Sequence, residues 1–192
     1  MTEKIVLVPG DGIGKEIAES VKAVSAVLTP AITWVHHEAG AEYYEQHGAL
    51  FDPSLLEDIE HTGVCIKGPT ATPVGTGFRS INVQLRQAFH TNINLRPVHS
   101  LPGVNSRYED VDIVIFRENS EDLYKGVEYM YDRDTAHGIK IISKEASANI
   151  ITASFEYARK HHRHKVTCVH KANIMKLTDG LFLHTFEDIA KQ

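Results

Sequence analysis

Apolar and polar positions divide the chain into short, well-separated runs. The first, Lys4-Ile-Val-Leu-Val8, is apolar without interruption, the mark of a strand buried on both faces of a parallel sheet. Ile17, Val21, Val24 and Leu28 recur at three- and four-residue spacing, which predicts a helix over residues 13–28 with those four side chains as its buried stripe. Residues 32–38 read as a second strand. Residues 52–60 read as a helix opening on Asp52 and Pro53, and residues 63–67 as a third strand. The order β-α-β-α-β implies an α/β fold with a largely parallel sheet.

A stretch of different texture follows. Residues 67–78 hold three glycines and two prolines and read as a loop. It empties into a short amphipathic helix with Ile81, Leu85 and Ala88 on one side and Ser80, Asn82 and Arg86 toward its exposed start. Residues 91–98 and 111–116 read as strands. Two β-prone runs, 127–131 and 139–143, flank a polar turn with Asp132, Asp134 and Gly138, which predicts a hairpin that packs against something else, such as a second subunit. Residues 144–161 form a helical pattern, 166–170 a buried strand, 171–174 the loop at its end and 179–191 a last helix.

Composition narrows the possibilities. A net charge of −5 over 192 residues argues against a nucleic-acid partner, and no run approaches the length of a membrane span. The polar start leads directly into a strand and does not read as a signal peptide. Cys65 and Cys168 each sit in a β-type run, as reduced thiols of a cytoplasmic protein do. The cluster of His161, His162 and His164 lies among cations, which disfavours a metal there; it reads as a solvated helix end.

Two places carry candidate chemistry. The turn Pro9-Gly-Asp-Gly-Ile-Gly14 has the first two glycines of a dinucleotide fingerprint, but its third falls one position early, so a tight strand-to-helix turn is the simpler reading. The second is the set of arginines Arg86, Arg96 and Arg117, at a helix fed by a loop and in or at the end of strands. Three planar guanidiniums could clamp a ligand with several carboxylates. Tyr124, close by in sequence, and Lys171, which follows another strand, are a natural proton donor and base. Each residue taken singly reads more readily as structural or surface; their joint placement at strand ends points to a site.

Five motifs carry a resemblance: PGDGIG (9–14), TPVGTGFRSINVQLRQ (72–87), NLRP (94–97), FRENSEDLY (116–124) and VHKANIMKLTDG (169–180). Together, in this order, they resemble the isocitrate and isopropylmalate dehydrogenases, metal-dependent enzymes that oxidise a 2-hydroxy acid and then decarboxylate it. Ser80-Ile-Asn82 stands where the isopropylmalate branch is apolar, so the resemblance is to the isocitrate branch. It implies an α/β fold with a large domain and an inserted smaller one. Residues 1–91 would belong to the large domain. Residues 92–121 with 144–192 would form an incomplete smaller domain, and residues 122–143 a hairpin arm joining two subunits.

The resemblance also implies roles. Arg86, Arg96 and Arg117 would hold the α- and β-carboxylates of isocitrate. Ser80 and Asn82 would hold the γ-carboxylate, with Thr72 close by. Lys171 would help remove the hydroxyl proton, reaching into a partner subunit's site, and Tyr124 would protonate the enolate. Asn173 would lie near the nicotinamide, and magnesium or manganese would act as Lewis acid.

Family members continue well past the position of Gln192, and that continuation carries the metal-binding aspartates and a His-Gly-x-Ala-Pro nucleotide loop. No proline follows Pro102 here. Hence no residue of this chain is expected to bind metal, and NAD rather than NADP is the favoured cofactor of the longer enzyme. The chain alone is not expected to catalyse the reaction: it would work in a homodimer or with a complementing chain. The alternative expectation is a non-catalytic relative acting as a substrate-binding or regulatory partner.

Overall fold

The computed structural model describes residues 3–29, 31–71 and 80–192, and the chain divides into two compact units, Met1–Phe89 and His90–Gln192.

The first unit is built on three parallel strands in the order β2-β1-β3: β1 (Glu3–Val8), β2 (Ile32–His36) and β3 (Cys65–Lys67). Val6, Leu7 and Val8 are at most 1% exposed, as an unbroken apolar run in a central parallel strand requires. Helices α1 (Gly14–Leu28), α2 (Ala41–His47), α3 (Ser54–Thr62) and α4 (Ile81–Ala88) complete it. The core gathers Val6, Val8, Ala39, Leu50, Leu55, Ile59 and Ile81. Asp52 opens α3 as predicted, its carboxylate accepting from the Ser54 amide at 2.8 Å.

One expectation fails here, and one helix has no counterpart in the sequence reading. The stripe assigned to α1 is not its buried side: Ile17, Val24 and Leu28 are exposed, and the helix buries Gly14 and Ala18 instead. Small residues let the helix backbone approach the sheet, and no described element covers its larger apolar side chains. Helix α2 is not apparent in the sequence because its only apolar positions are Ala41, Tyr43 and Tyr44. Its first turn is held from 30 residues away, by the Asp11 carboxylate accepting from the Ala41 and Glu42 amides.

The second unit holds two antiparallel pairs, β4 (Ile93–His99) with β5 (Asp112–Glu118) and β6 (Glu128–Met130) with β7 (Ala136–Gly138). Between them a 3₁₀ turn, Leu123–Lys125, opens on Asp122. Helices α5 (Lys144–Lys160) and α6 (Thr178–Ala190) pack together, with Phe155 against Phe186 at 5.3 Å between ring centroids. Phe116 of β5 meets Tyr157 of α5 edge-on at 5.3 Å.

The hairpin exists, but its second strand begins earlier than predicted. The Asp132 carboxylate accepts from the Asp134 amide and Tyr131 bonds to Thr135, so the tight turn closes at Thr135 and the ladder runs from Ala136. Ile141 bridges to Asp122 instead. The strand predicted over residues 166–170 is absent: residues 164–170 make no backbone–backbone hydrogen bond among the described residues. Their composition suits a strand, but a strand needs a neighbour to complete its ladder.

Helix α5 begins on Ser143, whose hydroxyl accepts from the Ala146 amide at 3.1 Å. Ser143→Ala is expected to lower unfolding stability by about 1 kcal/mol, read as a lower denaturant midpoint at unchanged m-value. Ser143→Asn should recover most of it.

No helix among the described residues is long and apolar enough to cross a membrane. Both cysteines are free and half-buried; burial raises the pKa of each thiol above its ordinary value.

Candidate functional site

In the first unit the loops after β1 and β3 meet at the C-terminal edge of the parallel sheet. Gly10 adopts φ +79°, and a Cβ there would lie 1.9 Å from the Pro69 carbonyl oxygen. A Cβ on Gly14 would lie 2.1 Å from the Pro9 carbonyl oxygen. These glycines are spent on close packing of one loop against another, which fits a tight turn.

Asp11, between two of those glycines, is the organising group. Its amide donates to Pro69 O at 2.9 Å, and its carboxylate accepts from the Ala71 amide at 2.6 Å besides capping α2. The sequence alone does not single out Asp11, because all its partners are distant along the chain. The one available signal is an acidic residue set between two glycines.

Lys67, the last residue of β3, donates to Gly68 O at 2.7 Å and Thr70 Oγ1 at 3.1 Å. Burial first, and then the charge of Arg86, push its ammonium below the ordinary lysine value, against the opposing pull of Cys65 and Asp11. Arg86 therefore adds positive charge at this end of the sheet. Ser80 is the N-cap residue of α4, but its hydroxyl makes no capping bond, and Asn82 is exposed one turn before Arg86. Ser80, Asn82 and Arg86 thus belong to one short helix. Thr72 lies outside the described residues.

In the second unit the antiparallel register places Asn94 opposite Arg117, and Arg96 opposite Ile115. Side chains alternate along a strand, so Arg96 and Arg117 rise from one face of the β4–β5 pair. Asn94 Oδ1 accepts from Arg96 Nε at 3.1 Å, steadying that guanidinium. Arg117 donates to the Tyr124 hydroxyl, and its guanidinium lies 5.3 Å from the centroid of the same ring.

Lys171 and Asn173 stand in the loop before α6, both exposed, and neither bonds to Arg96, Arg117 or Tyr124 among the described contacts. A second residue that the sequence does not single out ties this loop down. Asp179, 8% exposed, accepts from the Lys171 amide and from Lys140 Nζ, each at 2.7 Å. Lys140 also lies 3.4 Å from Asp122, the residue that opens the turn carrying Tyr124. An ion network thus connects the loop of Lys171 with the turn of Tyr124.

Among the described residues no group of three or more His, Cys, Asp or Glu side chains is arranged to hold a metal ion. The nearby carboxylates are already committed: Glu118 to the Ser120 and Glu121 amides, Glu121 to the Ser143 amide, and Asp179 as above. These residues do not fit a divalent-metal site by themselves.

Comparison with known proteins matches residues 4–192 to the family described as isocitrate/isopropylmalate dehydrogenase. This chain belongs to that family. It is 41% identical over 189 residues to a chloroplastic 3-isopropylmalate dehydrogenase of Solanum tuberosum, covering 98% of this chain and 53% of that one. It is 43% identical to the catalytic subunit 5 of the mitochondrial NAD isocitrate dehydrogenase of Arabidopsis thaliana, covering 97% and 50%. A regulatory subunit of the mitochondrial NAD isocitrate dehydrogenase of Dictyostelium discoideum is 42% identical, over 98% of this chain and 51% of its own. The crystal structure of isocitrate dehydrogenase from Methylococcus capsulatus superposes with a TM-score of 0.92 at 42% identity, over 98% of this chain and 57% of that one. The fold is thus part of an isocitrate dehydrogenase-like fold. The chain spans about half the length of the curated relatives it matches.

Proposed function

We propose that this chain supplies the substrate-side half of an enzyme that converts isocitrate to 2-oxoglutarate with NAD as the preferred oxidant. The observation that carries the reading is the pair Arg96 and Arg117 on one sheet face, with the Tyr124 hydroxyl held by Arg117. Two guanidiniums on one face suit the adjacent carboxylates of a hydroxy-tricarboxylate, and a phenol held beside them is placed to deliver a proton. Arg86 would join Arg96 and Arg117 on the α- and β-carboxylates, and Ser80 and Asn82, a hydroxyl that makes no capping bond and an exposed amide on α4, would receive the third carboxylate. Thr72 would assist. Lys171 would accept the proton of the 2-hydroxyl, and Asn173 would lie toward the nicotinamide. The ligands of magnesium or manganese would come from outside these residues, and so would most of the nucleotide site. A homodimer or a complementing chain would complete them, with residues 122–143 as the joining arm.

The test is calorimetric titration of the purified chain with isocitrate and, separately, 3-isopropylmalate. The mixture is then assayed for nucleotide reduction with manganese and NAD or NADP. Isocitrate binding without turnover, and weaker binding of isopropylmalate, is the expected result. Binding of neither acid would defeat the reading. Sustained reduction by the chain alone would show that nothing further is needed.

A second reading is favoured by the match of a relative named regulatory over the same span: a non-catalytic partner that binds the substrate and alters another chain's activity. Restored turnover on mixing with a chain whose own Tyr124-equivalent is removed would count against it.

A further inference from the structure

Asp122 holds a backbone conformation that side chains avoid. Its φ of +63° and ψ of −141° place it at the edge of the region essentially reserved to glycine, two residues before Tyr124. Such an outlier persists only where its surroundings over-determine it. Here backbone and side chain are both tied. The Asp122 amide donates to Ile141 O at 2.8 Å, closing an isolated bridge with that residue. Its Oδ1 accepts from the Leu123 amide at 2.8 Å, which starts the 3₁₀ turn that carries Tyr124. Its Oδ2 lies 3.4 Å from Lys140 Nζ.

Lys140 and Ile141 are adjacent, so one short segment grips the strained residue by side chain and backbone together. Lys140 is suited to this. Its side chain is only 21% exposed, and Asp179 Oδ2 fixes its ammonium from the other side at 2.7 Å. It presents a held charge rather than a swinging one. On the far side of the turn the Tyr124 hydroxyl accepts from Arg117. The strained residue thus stands between a fixed ammonium and the phenol that shares the guanidinium of Arg117.

We infer that Lys140 is a positioning residue: by holding Asp122 in its strained conformation it sets where the Tyr124 hydroxyl stands beside Arg117, and through Asp179 it sets the loop of Lys171. Its value to catalysis rests on the substrate reading above; the placement of Tyr124 does not. Asp122 is partly exposed, and an ion pair in that setting biases an equilibrium by no more than about fivefold. That is little for the fold as a whole. The strain at Asp122 opposes the observed turn, however, so a bias of this size governs how often the turn is populated.

Fluorine NMR of the 192-residue chain labelled with 3-fluorotyrosine tests this without any ligand, the Tyr124 resonance being the one lost in Tyr124→Phe. The parent should give one dominant Tyr124 line. Lys140→Met should raise the share of a second line about twofold to fivefold and speed exchange of the Lys171 amide, and Lys140→Arg should largely restore both. Asp122→Asn keeps an acceptor for the Leu123 amide and cuts only one arm. It should alter the Tyr124 line as Lys140→Met does while the Lys171 amide stays protected, and it serves even where Lys140→Met is poorly folded. Asp122→Gly removes the strain. Added to Lys140→Met, it should return Tyr124 to one line and leave the Lys171 amide fast. A general loss of stability would instead move both readouts together in every variant, which would overturn the inference. So would an unchanged Tyr124 line in Asp122→Asn, or the absence of suppression by Asp122→Gly. Calorimetric titration with isocitrate keeps the two claims apart: a parent that binds none defeats the substrate reading and leaves the placement of Tyr124 to be judged by its resonance.

Discussion

Arg117→Ala should abolish most of the affinity for isocitrate while leaving the fold in place. The guanidinium sits at the C-terminal end of β5, shares a sheet face with Arg96, and donates to Tyr124, with no carboxylate partner among the described residues. It is thus a cation held by a neutral partner, available to a ligand's charge. Losing hydrogen bonds to a charged group costs about 2–3 kcal/mol, which is on the order of a 30- to 150-fold weaker dissociation constant. Its structural contacts are the Tyr124 ring and hydroxyl, both at an exposed edge, so the melting temperature should move by no more than a few degrees.

Arg117→Lys separates charge from shape. It keeps the cation but not the two-pronged donor, and should recover only part of the affinity. Tyr124→Phe keeps the ring beneath the guanidinium and removes the hydroxyl. Affinity should then survive while turnover of the completed enzyme falls. Unfolding of Arg117→Ala would make the arginine structural. An unchanged dissociation constant with the fold intact would remove it from the site.

How much of this can be read from the sequence depends on where each residue's partners lie. Strand β1 is legible because Val6, Leu7 and Val8 need burial on both faces, which an apolar run states directly. Helix α5 is legible for a similar reason, with its cap three residues from the amide it accepts from. The arginines stand out through their motifs, and the register then places Arg96 and Arg117 on one face. What escapes is non-local. Asp11 gathers amides from residues 41, 42 and 71, and Asp179 reaches back 39 residues to Lys140. Residues 166–170 have the composition of a strand and read as one, but a ladder is a property of two segments, and the neighbour is not among the described residues. The α1 stripe fails in the same way, since periodicity identifies an apolar face without saying what covers it.

Asp179→Ala carries the largest expected stability loss in the second unit. The carboxylate is buried and takes donors from Lys140, the Lys171 amide and Thr178. Removing it leaves the Lys171 amide unpaired and Lys140 with Asp122 alone, at 3.4 Å. Breaking a buried pair by deleting one partner costs about 3 kcal/mol at the lower end of such cases, and the remaining Asp122 argues for that end.

The pH dependence supplies a signature that a mere cavity would not. Burial opposes ionisation of Asp179, but the bonds from Lys140 and the Lys171 amide outweigh it and hold the carboxyl below its ordinary value. A lowered folded-state pKa gives stability that is fully present above the ordinary carboxylate value and disappears as pH falls through the folded one. Lys140 is the mirror case. The Asp179 hydrogen bond, foremost, raises its pKa, so its share persists below the ordinary lysine value and is lost as pH rises through the raised one. Asp179→Asn keeps an acceptor for the Lys171 amide and loses the charge. It should cost about half as much as the alanine variant and flatten the acid limb of the stability curve. Equal acid limbs in parent and Asp179→Asn would show that the ion pair contributes nothing. In either variant the Lys171 amide should exchange faster, because the bond that holds its loop against α6 is weakened or gone.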